Sequence, residues 1–196
     1  NQYAIYGYWV TKILCGHPRV HVLDGHLKKW RLEGRPLETD DHEVKPVTCL
    51  PQFSNRDDSS RVYSTQVRDM LGKAGSVILD ARYQVEYDGE RVKPGSGFDY
   101  GAECWGRIPG ARHLFFRKLF DERDDSLLPP AELEKLFRDV GAAPDQADQV
   151  VSYCRLGHRA SLLWFTATQL LGWDHFRAYD GSWTEWGSSV GFPIER

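Results

Sequence analysis

The chain has 196 residues, of which 41% are hydrophobic and 27% charged, so it can form a packed core and disorder is not expected. Its formal net charge of −3 offers no attractive field to nucleic acid or to an anionic membrane surface. Its apolar stretches are shorter than the ~20 residues of a membrane span, and residues 1–6 show no basic n-region of a secretion signal. We therefore expect a cytoplasmic protein.

The periodicity of apolar residues predicts strands that alternate with helices. In chain order, we predict a helix at 65–71, a strand at 76–79, a long glycine-rich loop at 85–106, a strand at 112–116, a helix at 130–140, a strand at 149–153, a helix at 160–171 and a strand at 176–179. Such alternation is typical of an α/β domain with a central parallel sheet that is flanked by helices.

Two stretches of the chain resemble each other at a fixed offset of 156 residues. The matching pairs are Gly16 and Gly172, Asp24 and Asp180, Gly25 and Gly181, and Trp30 and Trp186. Each copy predicts a helix that ends at a glycine, then a short strand, an Asp-Gly pair and one aromatic turn. Identical residue types at one offset indicate a duplicated unit.

The repeat suggests a division of the chain into three parts. We expect residues 1–40 to be the tail of a partial first module, 41–60 to be a linker rich in Asp, Glu, Pro and Ser, and 61–196 to be a complete module. Most of the first module is then missing from this sequence, and a separate chain is one possible source of it. Two elements cannot bury a core alone, so residues 1–40 should dock on another surface.

The most informative segment is the loop from Cys154 to Arg159, which follows one predicted strand and precedes a predicted helix. Ligands of open α/β sheets bind beyond the carboxyl ends of strands, and a helix N-terminus presents unpaired N–H groups. A thiol in this position is favoured as the nucleophilic thiolate. Arg155 and Arg159 add positive charge, and a protonated His158 would add a third. Gly157 permits a tight turn. The loop therefore predicts an anion cradle around Cys154 rather than a buried structural cysteine.

The other three cysteines, Cys15, Cys49 and Cys104, are widely separated and form no C-x-x-C pair. Neither they nor His17, His21, His26 and His42 have metal-ligand spacing, so we expect reduced thiols and no metal. The run from Asp121 to Asp125 is expected to be a solvated turn.

The loop Cys-Arg-x-Gly-x-Arg resembles the active-site loop of rhodaneses, the thiosulfate sulfurtransferases. Three more segments resemble that family: Asp80-Ala81-Arg82, the run Gly106-Arg107-Ile108-Pro109-Gly110-Ala111 (in which Arg107 stands where His is usual), and residues 179–186. Residues 1–36 resemble the tail of the inactive first module of tandem members. The resemblance implies a rhodanese-like three-layer α/β domain.

The resemblance also implies a role for each residue of the loop. Cys154 takes a sulfur atom from a donor and becomes a persulfide, which a cyanide or thiol acceptor then discharges. The N–H groups of residues 155–159, which include those of Leu156 and Gly157, should stabilise the persulfide, and Arg155 and Arg159 should bind the sulfonate of thiosulfate. No organic cofactor is implied, and a thioredoxin-like reductant is a possible partner.

Three positions outside the loop complete this implied site. Asp80 and Arg82 should brace it, and Arg107 should support it. Glu86 stands where some animal-type relatives place a substrate-binding arginine, so we expect the anion to rely more on the loop and on Arg107 or Arg112. Trp183 and Trp186 are expected to pack in the core.

Three other functions stay open at this point. A donor such as 3-mercaptopyruvate is one, although relatives that use it carry a more neutral loop. A persulfide carrier that takes sulfur from a partner protein is another. The third is a cysteine-dependent phosphatase, but those enzymes have five residues between Cys and Arg, whereas four separate Cys154 from Arg159.

Overall fold

The computed structural model describes residues 2–48, 57–90 and 102–196. Within these residues, four parallel strands form one sheet in the order β2-β1-β3-β4. The strands are β1 (Ser76–Asp80), β2 (Arg112–His113), β3 (Gln149–Tyr153) and β4 (Phe176–Ala178). In the register of the central pair, Asp80 lies opposite Tyr153, so the residues that follow both strands emerge at the same edge.

Helices cover both faces of this sheet, which confirms the predicted α/β class. They are α1 (Gln2–Tyr8), α2 (His26–Leu32), α3 (Ser64–Met70), α4 (Gln84–Tyr87), α5 (Pro130–Asp139), α6 (His158–Phe165) and α7 (Ser182–Trp186). The chain also forms π-helical turns at Trp9–Leu14 and Thr166–Leu170 and a 3₁₀ turn at Phe116–Leu119. No helix of the described residues is long and apolar enough to cross a membrane.

The strands send alternate side chains into two separate hydrophobic cores. Val77, Leu79 and Val150 pack on one face with residues of α1, α5 and α6. Ile78 and Val151 pack on the other face with residues of α3 and α7. This two-sided burial explains why β1 and β3 read as continuous apolar runs in the sequence, as is usual for central parallel strands.

The N-terminal segment docks against the rest of the chain, as expected. Ile5 and Trp9 are fully buried beside α6, and Trp9 Nε1 donates a hydrogen bond to Ser60 Oγ at 3.1 Å. Lys28 and Lys29 form ion pairs with Asp125 at 3.2 Å and Asp124 at 3.4 Å. The acidic run is therefore not only a solvated turn, because two of its carboxylates bind helix α2.

The two copies of the sequence repeat share part of their local structure. In each copy a helix ends in a π-helical turn, and Gly16 and Gly172 then take nearly identical left-handed backbone angles, with φ of 70° and 71°. The strand predicted for the first copy is absent, since residues 17–23 form no strand in this part of the described chain. A strand needs a neighbour for its backbone hydrogen bonds, and the sheet continues from β4 to residues 60–62 instead.

Several predicted boundaries were wrong. The strand predicted at 112–116 ends at His113, since a 3₁₀ turn begins at Phe116. The helix predicted at 160–171 begins earlier, at His158, and becomes π-helical from Thr166. The predicted loop at 85–106 overlaps helix α4, and its residues 91–101 lie outside the described residues.

Candidate active site

Cys154 lies directly after β3 and is fully buried. Its backbone is fixed by the start of α7, because Cys154 N–H donates to Ser182 Oγ at 3.0 Å and Trp183 N–H donates to the Cys154 carbonyl at 2.9 Å. Ser182 takes an unusual φ of 54°, and its Oγ lies 4.0 Å from Cys154 Sγ. A strained backbone conformation is retained where its surroundings fix it, so α7 positions the thiol.

The loop after Cys154 turns at Gly157 and enters α6 at His158. Gly157 has a φ of 86°, and a Cβ there would lie 3.1 Å from both Asp180 Cβ and a ring carbon of Tyr6. Glycine is therefore required by conformation and by space. The N–H groups of the first turn of α6 have no partner within the helix, so this end of the helix favours a negative charge.

A cavity of about 380 Å³ opens at this edge of the sheet. Its lining comes from four parts of the chain: Gln2 and Tyr3 of α1, Tyr83 and Glu86 at α4, Phe116 of the 3₁₀ turn, and Cys154, Arg155, Leu156, His158 and Arg159 of the loop. The structure thus brings five of the six predicted loop residues together around one cavity, and Gly157 forms its turn. Helix α1 also contributes to the lining, which the loop sequence alone does not reveal.

Arg159 is held by a carboxylate in the wall of this cavity. Its Nη1 and Nη2 atoms donate to Glu86 Oε2 at 2.6 Å and Oε1 at 3.1 Å. The guanidinium carbon also lies over the rings of Tyr83 at 5.7 Å and Phe116 at 5.9 Å. Glu86 is fixed in turn, since its Oε2 accepts the Tyr83 N–H at 3.0 Å. Arg159, which the sequence predicts to bind the sulfonate, is therefore already paired with Glu86.

Charge in the cavity follows from this pairing. Burial alone would raise the pKa of Glu86, but the hydrogen bond and charge of Arg159 lower it below its ordinary value. Burial opposes the charge of Arg159, whereas the hydrogen bonds that it donates to Glu86 and the charges of Cys154 and Glu86 raise its pKa. Both groups are ionised at neutral pH.

His158 does not supply the third positive charge that the sequence suggested. Burial, and then the charge of Arg159, lower the pKa of His158 below its ordinary value of 6.5, so the imidazole is neutral at pH 7. Its ring makes edge contacts with Tyr6 at 4.6 Å and Tyr3 at 5.1 Å between centroids. His158 therefore joins the active-site loop to helix α1.

Asp80 and Arg82 form a buried ion pair beneath the loop. Arg82 Nη2 lies 2.6 Å from Asp80 Oδ2 and also donates to the Gly106 carbonyl at 2.7 Å. Tyr153 Oη donates to Asp80 Oδ2 at 2.6 Å and accepts the Ile108 N–H at 3.2 Å. This network connects the ends of β1 and β3 to residues 106–108. The pair therefore joins these three segments of the chain next to the loop.

Two arginines that the sequence suggests as ligands of the anion, Arg107 and Arg112, lie outside the cavity. Arg107 pairs with Glu195 and donates to the Tyr87 carbonyl at 3.2 Å. Arg112 donates to the Val140 carbonyl at 2.7 Å. Neither residue lines the cavity, because each guanidinium is held by backbone or carboxylate groups of other segments. The sequence-based expectation that Arg107 or Arg112 helps to hold the anion was wrong.

The remaining candidates take structural positions. Trp183 and Trp186 are buried, and the Trp183 ring lies 4.7 Å from the Arg82 guanidinium carbon. Cys104 is exposed, and Cys49 lies outside the described residues. In residues 2–48, 57–90 and 102–196, no group of three or more His, Cys, Asp or Glu residues could hold a metal ion.

Comparison with known proteins gives the family. Residues 64–189 match the family described as "Rhodanese-like domain", which covers more than half of the chain. The chain belongs to the rhodanese family. This rhodanese is 37% identical over 195 residues to the protein of Mycobacterium bovis named "Putative thiosulfate sulfurtransferase 1", with all of this chain and 68% of that protein aligned. It is 35% identical over 199 residues to the "Sulfur carrier protein TtuD" of Thermus thermophilus, and here too the alignment covers all of this chain and 68% of the relative.

Solved structures show the same fold. The anaerobic ergothioneine biosynthesis enzyme of Chlorobium limicola, in complex with trimethyl histidine, superposes with a TM-score of 0.81 at 28% identity. A structure of EanB in a cysteine-persulfide state with ergothioneine superposes with a TM-score of 0.78 at 28% identity. The alignment with the C. limicola enzyme covers 100% of this rhodanese and 45% of that chain. The alignment with EanB covers 99% of this rhodanese and 44% of that chain. This rhodanese is a sulfurtransferase of the rhodanese family, and its described residues form a four-stranded parallel sheet.

Proposed function

We propose that this rhodanese transfers a sulfane sulfur from thiosulfate to a thiophilic acceptor through a persulfide on Cys154. The observation that carries the proposal is the position of Cys154 in a cavity at the N-terminus of α6, with Arg155 and Arg159 in the lining. The name of the M. bovis relative supports thiosulfate as the donor.

The first step forms the persulfide. The Cys154 thiolate attacks the outer sulfur of thiosulfate, a new S–S bond forms, and the bond to the sulfonate sulfur breaks. Sulfite leaves with the electron pair of that bond, and the terminal sulfur of the persulfide keeps one negative charge. Charge-assisted hydrogen bonds from Arg155, and the backbone N–H groups of residues 155–159, would hold the sulfonate and then the persulfide.

The second step returns the enzyme to its starting state. Cyanide or a thiolate attacks the terminal sulfur, takes it away as thiocyanate or as a persulfide, and leaves the Cys154 thiolate. Neither step needs a cofactor. A thioredoxin-like protein is a suitable thiol acceptor under this proposal. The cycle requires a reduced thiol, which supports a cytoplasmic location.

Steady-state kinetics test this proposal. Thiocyanate formation from thiosulfate and cyanide should give parallel double-reciprocal lines, because a covalent intermediate separates the two substrates. Cys154→Ser should abolish thiocyanate formation, whereas Cys104→Ser, which alters an exposed thiol, should retain it. Intersecting lines, or activity in Cys154→Ser, would refute a persulfide on Cys154.

Besides an enzyme that uses 3-mercaptopyruvate as its donor, a second candidate is a persulfide carrier that receives sulfur from a partner protein. The name of the T. thermophilus relative and the pairing of Arg159 with Glu86 favour this candidate. A carrier would form the persulfide with a partner but would not turn over free thiosulfate. A phosphatase is disfavoured by the family match and by the four residues between Cys154 and Arg159.

We further propose that the chain has the three parts that the repeat suggests. Residues 1–40 would be the tail of a first rhodanese module, 41–60 a linker and 61–196 the catalytic module. The shared π-helical turns before Gly16 and Gly172 support this division, and the family match at 64–189 lies within the third part. The rest of the first module, on this chain or another, would then complete the surface around α1.

A further inference from the structure

The wall of the active-site cavity contains one carboxylate, Glu86, whose position bears on which donors enter. Glu86 is 8% exposed and Arg159 is partly buried beside it, so little water screens the pair. The carboxylate accepts two hydrogen bonds from Arg159 and one from Tyr83 N–H. These bonds fix both the place and the charge of Glu86.

The pairing has a direct effect on the charge that a donor meets. With His158 neutral, Glu86 offsets the positive charge of Arg159 within the lining. Without Glu86, the same site would keep one positive charge beside the thiolate. A dianion such as thiosulfate is repelled by Glu86 twice as strongly as a monoanion at the same position, because Coulomb energy scales with ligand charge.

We propose that Glu86 is a specificity-determining residue: by holding Arg159 it weakens the binding of dianionic donors relative to sulfane donors that carry one negative charge. Organic thiosulfonates and organic persulfides are donors of that class. This inference rests on the proposed sulfur transfer through Cys154. Under this inference the site prefers monoanionic donors, although the two arginines of its loop alone would suggest a preference for dianions.

Glu86→Gln tests the charge with little change of shape. The side-chain oxygen of a glutamine at this position can still accept the hydrogen bond from the Tyr83 N–H at the start of α4. Glutamine is the usual alternative to glutamate at the third position of a helix. Glu132→Gln removes the same charge from an exposed position on α5 and serves as the control for net charge. Unfolding curves and circular dichroism establish that each variant is folded.

Single-turnover formation of the persulfide is measured with thiosulfate and with methanethiosulfonate, which carry two charges and one. In Glu86→Gln, the half-saturating concentration should fall about tenfold for thiosulfate and about threefold for methanethiosulfonate, as expected if the energy scales with charge. The limiting rate should change less than about threefold. Glu132→Gln should stay within about twofold of the wild type. Unchanged constants, or equal changes for both donors, would overturn the inference.

Equilibrium binding separates this inference from the proposed chemistry. Titration calorimetry of thiosulfate with Cys154→Ser, and with the double variant Cys154→Ser and Glu86→Gln, reports affinity without turnover. About tenfold tighter binding to the double variant supports the role of Glu86 even if no persulfide forms in the wild type. Equal affinities, or no detectable binding to the double variant, would overturn it. A missing persulfide together with tighter binding would refute only the proposed transfer from thiosulfate.

Discussion

Replacement of Tyr153 by phenylalanine should destabilise the protein by about 2–4 kcal/mol. The Tyr153 ring is fully buried, and its Oη donates to Asp80 Oδ2 at 2.6 Å and accepts the Ile108 N–H at 3.2 Å. Burial, followed by the negative charge of Asp80, raises the pKa of Tyr153 well above its ordinary value, so the hydroxyl is protonated and donates.

The magnitude comes from the two bonds that phenylalanine cannot make. A hydrogen bond to a charged group contributes about 1.5–3 kcal/mol, and a buried N–H without a partner costs about 1–3 kcal/mol. Asp80 Oδ2 still accepts hydrogen bonds from Arg82 at 2.6 and 3.0 Å, so the carboxylate is not left alone. Ile108 is fully buried and loses the partner of its N–H, so this loss makes up much of the cost.

Urea denaturation followed by tryptophan fluorescence measures the effect, with equal m-values as the condition for comparison. Tyr63→Phe is the matched control, because Tyr63 is 54% exposed, and it should change stability by less than about 0.5 kcal/mol. A loss below about 0.5 kcal/mol in Tyr153→Phe would show that the hydroxyl does not join β1, β3 and residues 106–108 as described.

Two further predictions concern the N-terminal segment and the loop. Ile5→Ala should lower the free energy of unfolding, measured by urea denaturation, by about 2–5 kcal/mol because Ile5 is fully buried. The control Leu27→Ala should lower it by less than about 1 kcal/mol, since Leu27 is 45% exposed. Equal losses would mean that α1 is not part of the core. The folded pKa of His158 is lowered by burial and by Arg159, so its contribution to stability is present above pH 6.5 and is lost as the pH falls below that value. As the pH falls from 7.5 to 5.5, the wild type should therefore lose stability that His158→Asn keeps, so the free energy of unfolding of the variant should rise relative to that of the wild type. A difference in unfolding free energy that stays constant over this range would contradict the lowered pKa.

The central strands could be predicted from sequence because parallel strands buried on both faces consist of continuous apolar residues. The run from Ser76 to Leu79 and the run from Gln149 to Tyr153 both became strands. The strand expected between Gly16 and Asp24 did not form, since no neighbouring strand of the described residues is available to it. Strand propensity is a local property, whereas pairing depends on the position of the rest of the chain.

The loop around Cys154 could be predicted for a different reason, because a nucleophile, a glycine and two arginines are contiguous there. The contribution of Gln2 and Tyr3 could not, since they lie about 150 residues away in the sequence. The only sequence signal for the ion pair of Arg159 is Glu86 itself, a carboxylate at the position where some animal-type relatives place a substrate-binding arginine. Side-chain pairing between distant segments follows from the tertiary fold.

The central claim is that Cys154 carries a sulfur atom during turnover, and mass spectrometry of the intact, reduced protein tests it most directly. After thiosulfate is added, the mass should rise by about 32 Da, the mass of one sulfur atom, and cyanide should reverse the gain, as a covalent intermediate requires. Cys154→Ser should show no gain. A wild-type protein that gains no sulfur, or a Cys154→Ser protein that gains the same mass, would contradict the account.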